Sequence, residues 1–298
     1  MHRYLIKRLL LILPTMLLIF FAVYGLMLVL PATRAGGFQV VLQRMLSILT
    51  KKGGIMIRFR NTVLLSALGI FFTMLAGIVV GILCATHPGK WLDRVLTSVS
   101  VVTGSLPAYL TAIFLVFFFC VILRILPPFG NDSVKHFILP VLTIVLSYMA
   151  PIARMTRSSM IEVLASPYIR ALYARGVSAR RIIWIHGLRG CLVPVISSLR
   201  NVASEIVCGT LICENFFTIP GLGFFMVRAI GARNVQEVLA ATMAIAFLLM
   251  IVYFVADIMY AAVDPRIRKQ YAGVSFMPRN SKSTAAASTA ASSGKEVA

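Results

Sequence analysis

Acidic residues are scarce in this chain. Its 298 residues include 9 Asp and Glu against 29 Lys and Arg, and 13% of all residues are charged, whereas soluble domains carry about 25%. Hydrophobic residues make up 59% of the chain, and its mean hydropathy is +0.92. These values exclude an ordinary soluble domain and predict an integral membrane protein.

Motifs for nucleotide hydrolysis and for hydrolytic catalysis are also missing. Around Gly89-Lys90, a GxxxxGK[ST] loop would need glycine where Cys84 stands and Ser or Thr where Trp91 stands. No HExxH or GxSxG motif occurs. The sequence therefore predicts a protein that is not an enzyme and does not hydrolyse ATP itself.

Metal-binding patterns are absent too. The five cysteines form no CxxC pair, and the four histidines are scattered along the chain. Since structural metal sites need ligands at characteristic spacings, we expect free, buried thiols and neither a metal nor a cofactor.

Long apolar runs dominate what is present. A transmembrane helix needs roughly 20 apolar residues, because no water in the bilayer core can satisfy its backbone groups. Six runs qualify or nearly do so, namely residues 9–30, 62–86, 95–123, 137–153, 191–213 and 238–263. The sequence predicts an all-α polytopic protein with six transmembrane helices in a domain over residues 1–270. Residues 271–298, rich in Ser, Ala and Thr, predict a disordered cytoplasmic tail.

The basic residues indicate an orientation. With a cytoplasmic N-terminus, most Lys and Arg lie in cytoplasmic segments, as the positive-inside rule requires, although the first external loop is also basic. Six spans then place both termini in the cytoplasm. The net charge of +20 is thus assigned to topology and to contact with anionic lipid, not to nucleic acid.

An arginine-rich polar segment, residues 154–190, separates the fourth and fifth predicted spans. Pro167 can begin a helix there with Ser166 as its cap, and Gly176 can end it. A second helix, over residues 178–188, would lead into the fifth span. Helical spacing places on one face Tyr168, Ile169, Leu172 and Tyr173, and directs away from it Arg170, Ala171 and Arg175. This apolar face predicts contact with a partner protein or with the lipid interface, and periodicity does not decide between them.

The fifth predicted span carries Arg200, Asn201 and Glu205. Ionisable groups at membrane depth are costly unless they are paired or face water. Asn201 and Glu205, four residues apart, share a helix face. Two interpretations stay open for these residues: they line a translocation path, or they form a structural ion pair between helices. In the last span, Asp257 is more readily interpreted as an internal hydrogen-bonded anchor.

The external segment after the fifth span is apolar but interrupted by Pro220, Gly221 and Gly223. This pattern predicts a turn and a short helix lying back on the membrane domain. We consider a plug at the outer mouth and a packed external cap, and we favour the cap.

Several motifs together resemble one family. Residues 153–160, Ala-Arg-Met-Thr-Arg-Ser-Ser-Met, are similar to a stretch of the permease subunits of binding-protein-dependent ATP-binding cassette (ABC) importers, specifically the DppB/OppB-like B-type subunit of dipeptide, oligopeptide and nickel systems. The polar segment resembles that family's cytoplasmic EAA loop, over about residues 159–190, with Ala171 and Gly176 at its Ala and Gly positions. Leu172 replaces the second Ala, and Arg170 stands where the wider superfamily has Glu. The further similar motifs are Tyr4-Leu5-Ile6-Lys7-Arg8-Leu9 with Pro14, Ser105-Leu106-Pro107, residues 136–140, Glu214 with Pro220-Gly221-Leu222-Gly223, and Asp257 with residues 264–268.

The chain departs from the subfamily at two places. A PGDP-like segment usually follows the first span, whereas this chain has Pro31-Ala32-Thr33-Arg34 and a short loop to Asn61. Docking of an external binding protein is expected to differ accordingly. The fifth span is polar where the subfamily favours small residues.

The resemblance implies the type I ABC importer permease fold and alternating access in a bacterial cytoplasmic membrane, with peptides as cargo. It implies as partners a homologous second permease, two ATP-binding subunits and an extracytoplasmic substrate-binding protein. It assigns coupling to the ATPase to Tyr168, Ile169, Arg170, Ala171, Leu172, Tyr173 and Gly176, and the translocation path to Arg200, Asn201 and Glu205. The alternative is a stand-alone secondary transporter or channel for a small solute. The cargo stays open among dipeptide, oligopeptide, glutathione and a nickel chelate.

Overall fold

The computed structural model of the chain describes residues 14–15, 17–19, 21–22, 25, 54–130 and 133–263, and these residues contain no strand. The helices from residue 54 onward are α1 (Ile55–Thr86), α2 (Trp91–Ser105), α3 (Ala108–Val116), α4 (Lys135–Leu164), α5 (Pro167–Ala174), α6 (Ala179–Arg181), α7 (Leu188–Phe216), α8 (Leu222–Gly231) and α9 (Val235–Val263). A π-helical segment, Phe117–Ile122, extends α3, and another, Ile182–Gly187, joins α6 to α7. The all-α prediction is confirmed for the described residues.

Four of the described helices are long and apolar enough to cross a membrane, and the number rises to five if the bent pair of α2 and α3 is one span. The four are Ile55–Thr86, Lys135–Leu164, Ala179–Phe216 and Val235–Tyr260, matching the second, fourth, fifth and sixth predicted spans. Most of the first predicted span and the whole predicted tail lie outside the described residues. The count of six spans therefore stays a prediction.

The third predicted span, residues 95–123, is not one straight helix. α2 ends at Ser105, and the chain bends by 108° before continuing as α3 and its π-helical extension. Pro107 explains the break, because proline has no amide hydrogen and disfavours a helical conformation in the residue before it. Leu106 is accordingly extended, with φ −80° and ψ 135°.

The fourth predicted span is longer than its apolar run. α4 continues past Ala153 to Leu164, so the first third of the polar segment is a helical extension of this span. The helix ends where Ser166 takes an extended conformation before Pro167, with ψ 150°. This extension carries the polar segment away from the apolar part of the span before the chain turns.

The close contact of α1 with α4 depends on glycine. A Cβ atom added at Gly81 would lie 2.5 Å from the Thr156 Cβ and 2.7 Å from the Ala153 carbonyl oxygen, and one at Gly77 would lie 2.7 Å from the Ile152 Cγ2. Small residues let membrane helices approach this closely and gain dispersion contacts. α4 also packs against α7, and α7 packs against α9, so α4 and α7 form the centre of the bundle.

The segment after α7 forms the turn and the short helix that the sequence predicts. At the first two residues of α8, Glu214 Oε2 accepts a hydrogen bond from the Gly223 amide at 2.8 Å, and Thr62 Oγ1 accepts one from the Leu222 amide at 2.8 Å. Leu222 and Phe225 of α8 are buried. α8 is thus a packed cap tied to α1 and α7.

Candidate functional site

Helix α5, in the polar segment, begins where the sequence predicts. Pro167 is its first residue, and the Ser166 carbonyl accepts hydrogen bonds from the Ile169 amide at 3.1 Å and the Arg170 amide at 3.3 Å. Proline suits this position because the first helical N–H has no partner within the helix. Ser166 occupies the predicted cap position, but its side chain makes no capping hydrogen bond. The prediction of a side-chain cap is wrong in that respect.

Gly176 ends α5 as predicted. Its φ is +77°, its amide donates to the Tyr173 carbonyl at 3.0 Å, and the Val177 amide donates to the Leu172 carbonyl at 3.2 Å. This pair of bonds is the Schellman arrangement, which satisfies the last carbonyls of a helix and needs a left-handed residue. The turn fixes the direction in which the chain leaves α5.

The four residues predicted to share an apolar face are divided between the interior and the surface. Ile169 is 1% exposed and Leu172 is half-buried, whereas Tyr168 and Tyr173 are 55% and 52% exposed. At about 100° per residue, Ile169 and Leu172 occupy the centre of the apolar arc and the tyrosines its two edges. The Ile169 side chain packs within the chain in this conformation, and its assignment to coupling with the ATPase stays a prediction.

A hydrogen bond joins α5 to the π-helical segment that leads into α7. The Tyr168 hydroxyl lies 2.9 Å from His186 Nδ1, and the two rings meet edge to face with centroids 6.0 Å apart. Sequence reasoning assigned His186 no role, because the 18-residue separation gives no periodic signal. This contact connects α5 to the helix that carries Arg200 and Glu205.

The outward surface next to α5 is cationic and partly aromatic. Arg170, Ala171 and Arg175 are exposed. A shallow cleft of about 400 Å³ lies beside them, lined by Ser178, Arg180, Arg181, Trp184 and Ile185. Such a surface suits an acidic partner with an apolar projection, or the headgroups of anionic lipids.

A bidentate ion pair holds the first turn of α2 against α4. Arg157 Nε lies 2.8 Å from Asp93 Oδ1, and Arg157 Nη2 lies 2.7 Å from Asp93 Oδ2. The Gly89 amide donates to the same carboxylate at 2.9 Å. Fork-to-fork geometry of this kind gives strong, directional pairing. The sequence analysis did not identify this pair, since its members are distant in the chain.

α7 presents a polar face along its length. The exposed residues on that face recur every three or four positions, at Ser197, Asn201, Glu205, Cys208, Ile212 and Asn215. An α-helix with this spacing keeps them on one side. Asn201 and Glu205 therefore share a face, as predicted. Cys208 is exposed on it, so the expectation that all thiols are buried is wrong there, although the five cysteines are free.

Arg200 points away from this face and pairs with the last helix. Its Nε lies 3.2 Å from Asp257 Oδ1 of α9, with the Arg200 side chain 42% exposed and that of Asp257 3% exposed. The structure thus brings Arg200 and Asp257 together and leaves Asn201 and Glu205 on another side of α7. Pairing within the membrane compensates both charges.

Tyr148 of α4 lies beside the polar face. A Cβ atom on Gly209 would overlap the Tyr148 hydroxyl, so glycine at this position makes room for the phenol. On α7, Gly209 lies four residues after Glu205 and next to Cys208. The polar face is therefore a small cluster built from two helices.

The described residues of this site do not form a group of metal ligands. Over the described part of the chain, no three His, Cys, Asp or Glu side chains are grouped where they could hold a metal ion. What the arrangement offers is an exposed cationic surface linked to an apolar helix with a polar face.

Comparisons with known proteins agree on one kind of molecule. The profile of the family described as "Binding-protein-dependent transport system inner membrane component" matches residues 77–269. The dipeptide transport system permease protein DppB of Bacillus subtilis (strain 168) is 36% identical over 199 residues, which cover 67% of this chain and 65% of that protein. The glutathione transport system permease protein GsiC of Shigella flexneri serotype 5b (strain 8401) is 33% identical over 211 residues, covering 71% of this chain and 69% of that protein.

A solved structure shares the fold. A chain of the MetNI methionine ABC transporter, in an inward-facing conformation, superposes with a TM-score of 0.58 at 19% identity, covering 74% of this chain and 99% of that one. The match extends to almost the entire length of the solved chain. The described helices thus have the arrangement of a type I ABC importer permease.

Proposed function

This chain belongs to the family of binding-protein-dependent transport system inner membrane components, and we propose that it is a permease subunit of an ATP-driven importer that moves short peptides by alternating access. The alignment with the Bacillus permease spans just under two thirds of that protein. The cargo is inferred from the names of the relatives, and the mechanism is inferred from the geometry of this chain.

One observation carries the mechanism. The cytoplasmic helix α5 is bonded through Tyr168 to His186, and the helix of which His186 is part continues from Ala179 to Phe216 through the membrane. A displacement of α5 would therefore be transmitted to the polar face of α7 through one hydrogen bond and one continuous helix. Coupling by docking requires such a contiguous element with two positions.

The docking surface consists of the exposed residues around α5. Tyr168, Arg170, Ala171, Tyr173 and Arg175 form the contact with the ATPase, while Ile169 and Leu172 fix α5 to the rest of the chain. Gly176 holds the turn that orients this surface. Compared with the set of coupling residues that the resemblance implies, Arg175 is added, and Ile169 and Leu172 have a structural role.

The partners are two ATP-binding subunits, a homologous second permease and an extracytoplasmic substrate-binding protein. Hydrolysis of ATP by the separate subunits supplies the free energy, and the binding protein delivers the peptide to the external side. The complex lies in a bacterial cytoplasmic membrane, with α5 and both termini of this chain in the cytoplasm.

The polar face of α7 contributes to the translocation path. Asn201 and Glu205 contact the peptide, and Arg200 acts on the path indirectly, by holding α7 against α9 through Asp257. A polar face on a membrane helix is stable where it meets water or a polar solute. An aqueous path between two permease subunits provides that environment.

A crosslinking experiment tests the docking step. A photoreactive amino acid at exposed Ala171 is expected to crosslink to an ATP-binding subunit in the assembled complex, whereas the same group at Phe114 of α3, 61% exposed, should crosslink to lipid. The complex should take up radiolabelled dipeptide into proteoliposomes only with ATP. Crosslinks from Ala171 to lipid alone, with normal uptake, would contradict the docking role. Uptake by the purified chain alone, driven by an ion gradient, would establish the stand-alone transporter instead.

A further inference from the structure

Two ionisable side chains lie in the middle of α7, and their surroundings differ. Arg200 is paired at 3.2 Å with Asp257, whose side chain is 3% exposed. Glu205 is exposed, and within the described part of the chain it has no ion-pair partner. The charge of Arg200 is thus compensated inside the protein. The uncompensated charge at the middle of α7 is the negative charge of Glu205.

The neighbours of Glu205 are suited to a cation. Asn201 lies one turn before it and Cys208 one turn after it on the same face, and both are exposed. Tyr148 approaches from α4 over Gly209, so that a phenol ring and hydroxyl lie against α7 one turn after Glu205. A carboxylate, a phenol and an amide oxygen together offer an ammonium group an ion pair, a cation–π contact and hydrogen-bond acceptors.

We propose that Glu205 is a specificity-determining residue of the translocation path, which binds an ammonium group of the passing peptide and so favours cationic and zwitterionic peptides over net-anionic ones. This inference rests on the proposed function and adds the charge class of the cargo. It places a step of selection in the permease itself, after the binding protein has released the peptide. Tyr148 is a positioning residue that Gly209 admits to the site.

A transport assay tests the selection directly. The complete importer, with its binding protein and ATPases, is reconstituted in proteoliposomes and offered Lys-Ala, Ala-Ala or Glu-Ala at saturating concentration. Glu205→Gln is expected to lower the uptake ratio of Lys-Ala to Glu-Ala about tenfold, and Glu205→Asp to keep it within about twofold. Because one binding protein serves all variants, its own preference cancels in the comparison. Glu237→Gln, the same chemical change at the external end of α9, should leave the ratio unchanged.

A chemical probe tests the same site without transport. Cys208 lies three residues from Glu205 on the exposed face, so in a chain whose other cysteines are alanine it can report the local field. In the complex, the ratio of its reaction rates with a cationic and an anionic methanethiosulfonate should fall about tenfold in Glu205→Gln, because one charge a helical turn away acts oppositely on the two reagents. The ratio should be unchanged in Glu237→Gln.

The uptake ratio and the reagent ratio together distinguish a failure of the role of Glu205 from a failure of the proposed function. An unchanged reagent ratio, or an equal fall in the uptake of all three peptides, would overturn the role of Glu205 while leaving peptide import intact. Loss of complex assembly in Glu205→Gln, with Glu205→Asp assembling normally, would show instead that the carboxylate pairs with a neighbouring subunit and would also overturn it. A complex that takes up no peptide with ATP would refute the proposed function. The reagent ratio would then still decide whether the face attracts cations.

Discussion

Gly176 is the residue whose backbone most directly controls the docking surface. Its φ of +77° lies in the left-handed region, where a Cβ is disfavoured, and no other atom lies within 4 Å of an added Cβ. Any cost of substitution there is conformational and not steric. A β-branched residue should disturb the turn more than asparagine, which tolerates this region.

Gly176→Val is expected to lower ATP-driven peptide uptake about tenfold. The physical reason is that a left-handed conformation costs a β-branched residue about 1–3 kcal/mol, so that the end of α5 leaves its docking position. Gly176→Asn, as the matched control, should retain uptake within about threefold. Uptake per ATP hydrolysed, measured in proteoliposomes, is the decisive quantity. Equal uptake by the Val and Asn variants would show that the turn does not position the docking surface.

The pair of Arg200 and Asp257 makes a prediction about stability. Arg200→Met removes a cation 3.2 Å from a nearly inaccessible carboxylate and is expected to cost about 1–2 kcal/mol, less than breaking a fully buried pair, because the arginine is 42% exposed. The double variant Arg200→Met with Asp257→Leu should lose less stability than the sum of the losses in the two single variants. Thermal unfolding of the detergent-purified complex measures the cycle, and a coupling energy of about 1 kcal/mol or more supports a structural pair. Additive effects, with uptake lost at unchanged unfolding temperature, would place Arg200 in the path.

At the scale of elements, the proposed function requires that the link between α5 and the π-helical segment move as a unit with the ATPase. Tyr168 and His186 supply its hydrogen bond, and buried Ile169 and Ile182 supply apolar packing on each side. π-helical segments often occur at functional sites, because one extra residue per turn weakens the regular hydrogen-bond pattern. The segment Ile182–Gly187 is thus placed where a change of helix direction costs least.

Tyr168→Phe is expected to reduce uptake about fivefold while ATP hydrolysis continues. The change deletes one hydroxyl and keeps the ring, so the loss corresponds to a single hydrogen bond of about 1 kcal/mol. Tyr109→Phe in α3 serves as the control, since that hydroxyl lies far from α5 in the chain. Parallel measurement of ATP hydrolysis and uptake separates coupling from docking. If both activities fell together, the hydroxyl would contribute to assembly and not to coupling.

The positions of the helices and of their ends could be predicted from the sequence to different degrees. Apolar runs located α1, α4, α7 and α9, and Pro167 with Gly176 located α5, because these signals are local. The bend at Pro107 also has a local signal, but its angle of 108° depends on how α3 packs against its neighbours. Hydropathy could not show that α4 continues for three turns beyond its apolar run.

The contacts within the site were less predictable than the helices. Residues 168 and 186, 93 and 157, and 200 and 257 meet only after the chain has folded, and no spacing rule connects them. The sequence also did not show what the apolar face of α5 packs against. An amphipathic face says that a surface will be covered, whereas only the tertiary structure shows that Ile169 is covered by the chain itself.

At the scale of the whole molecule, alternating access requires that the polar face of α7 be accessible to water first from one side of the membrane and then from the other. Cys208 is a native reporter of this change, because it is exposed on that face while Cys84, Cys191 and Cys213 are buried and Cys120 is half-buried. A thiol in a closed path is shielded from water. Its reactivity with a membrane-impermeant reagent therefore reports which side is open.

With the other cysteines replaced by alanine, Cys208 is expected to react faster from the cytoplasmic side without nucleotide, and faster from the external side when ATP holds the ATPases closed. The preference for one side should reverse by on the order of tenfold in each state, since a ligand that moves a two-state equilibrium changes the population of the open side accordingly. Proteoliposomes with the reagent placed on one side at a time provide the measurement. Gly176→Val should weaken the reversal without changing reactivity in the absence of ATP, because it acts on the docking surface and not on the path. A rate that is the same from both sides, with and without ATP, would mean that α7 does not line an alternating path.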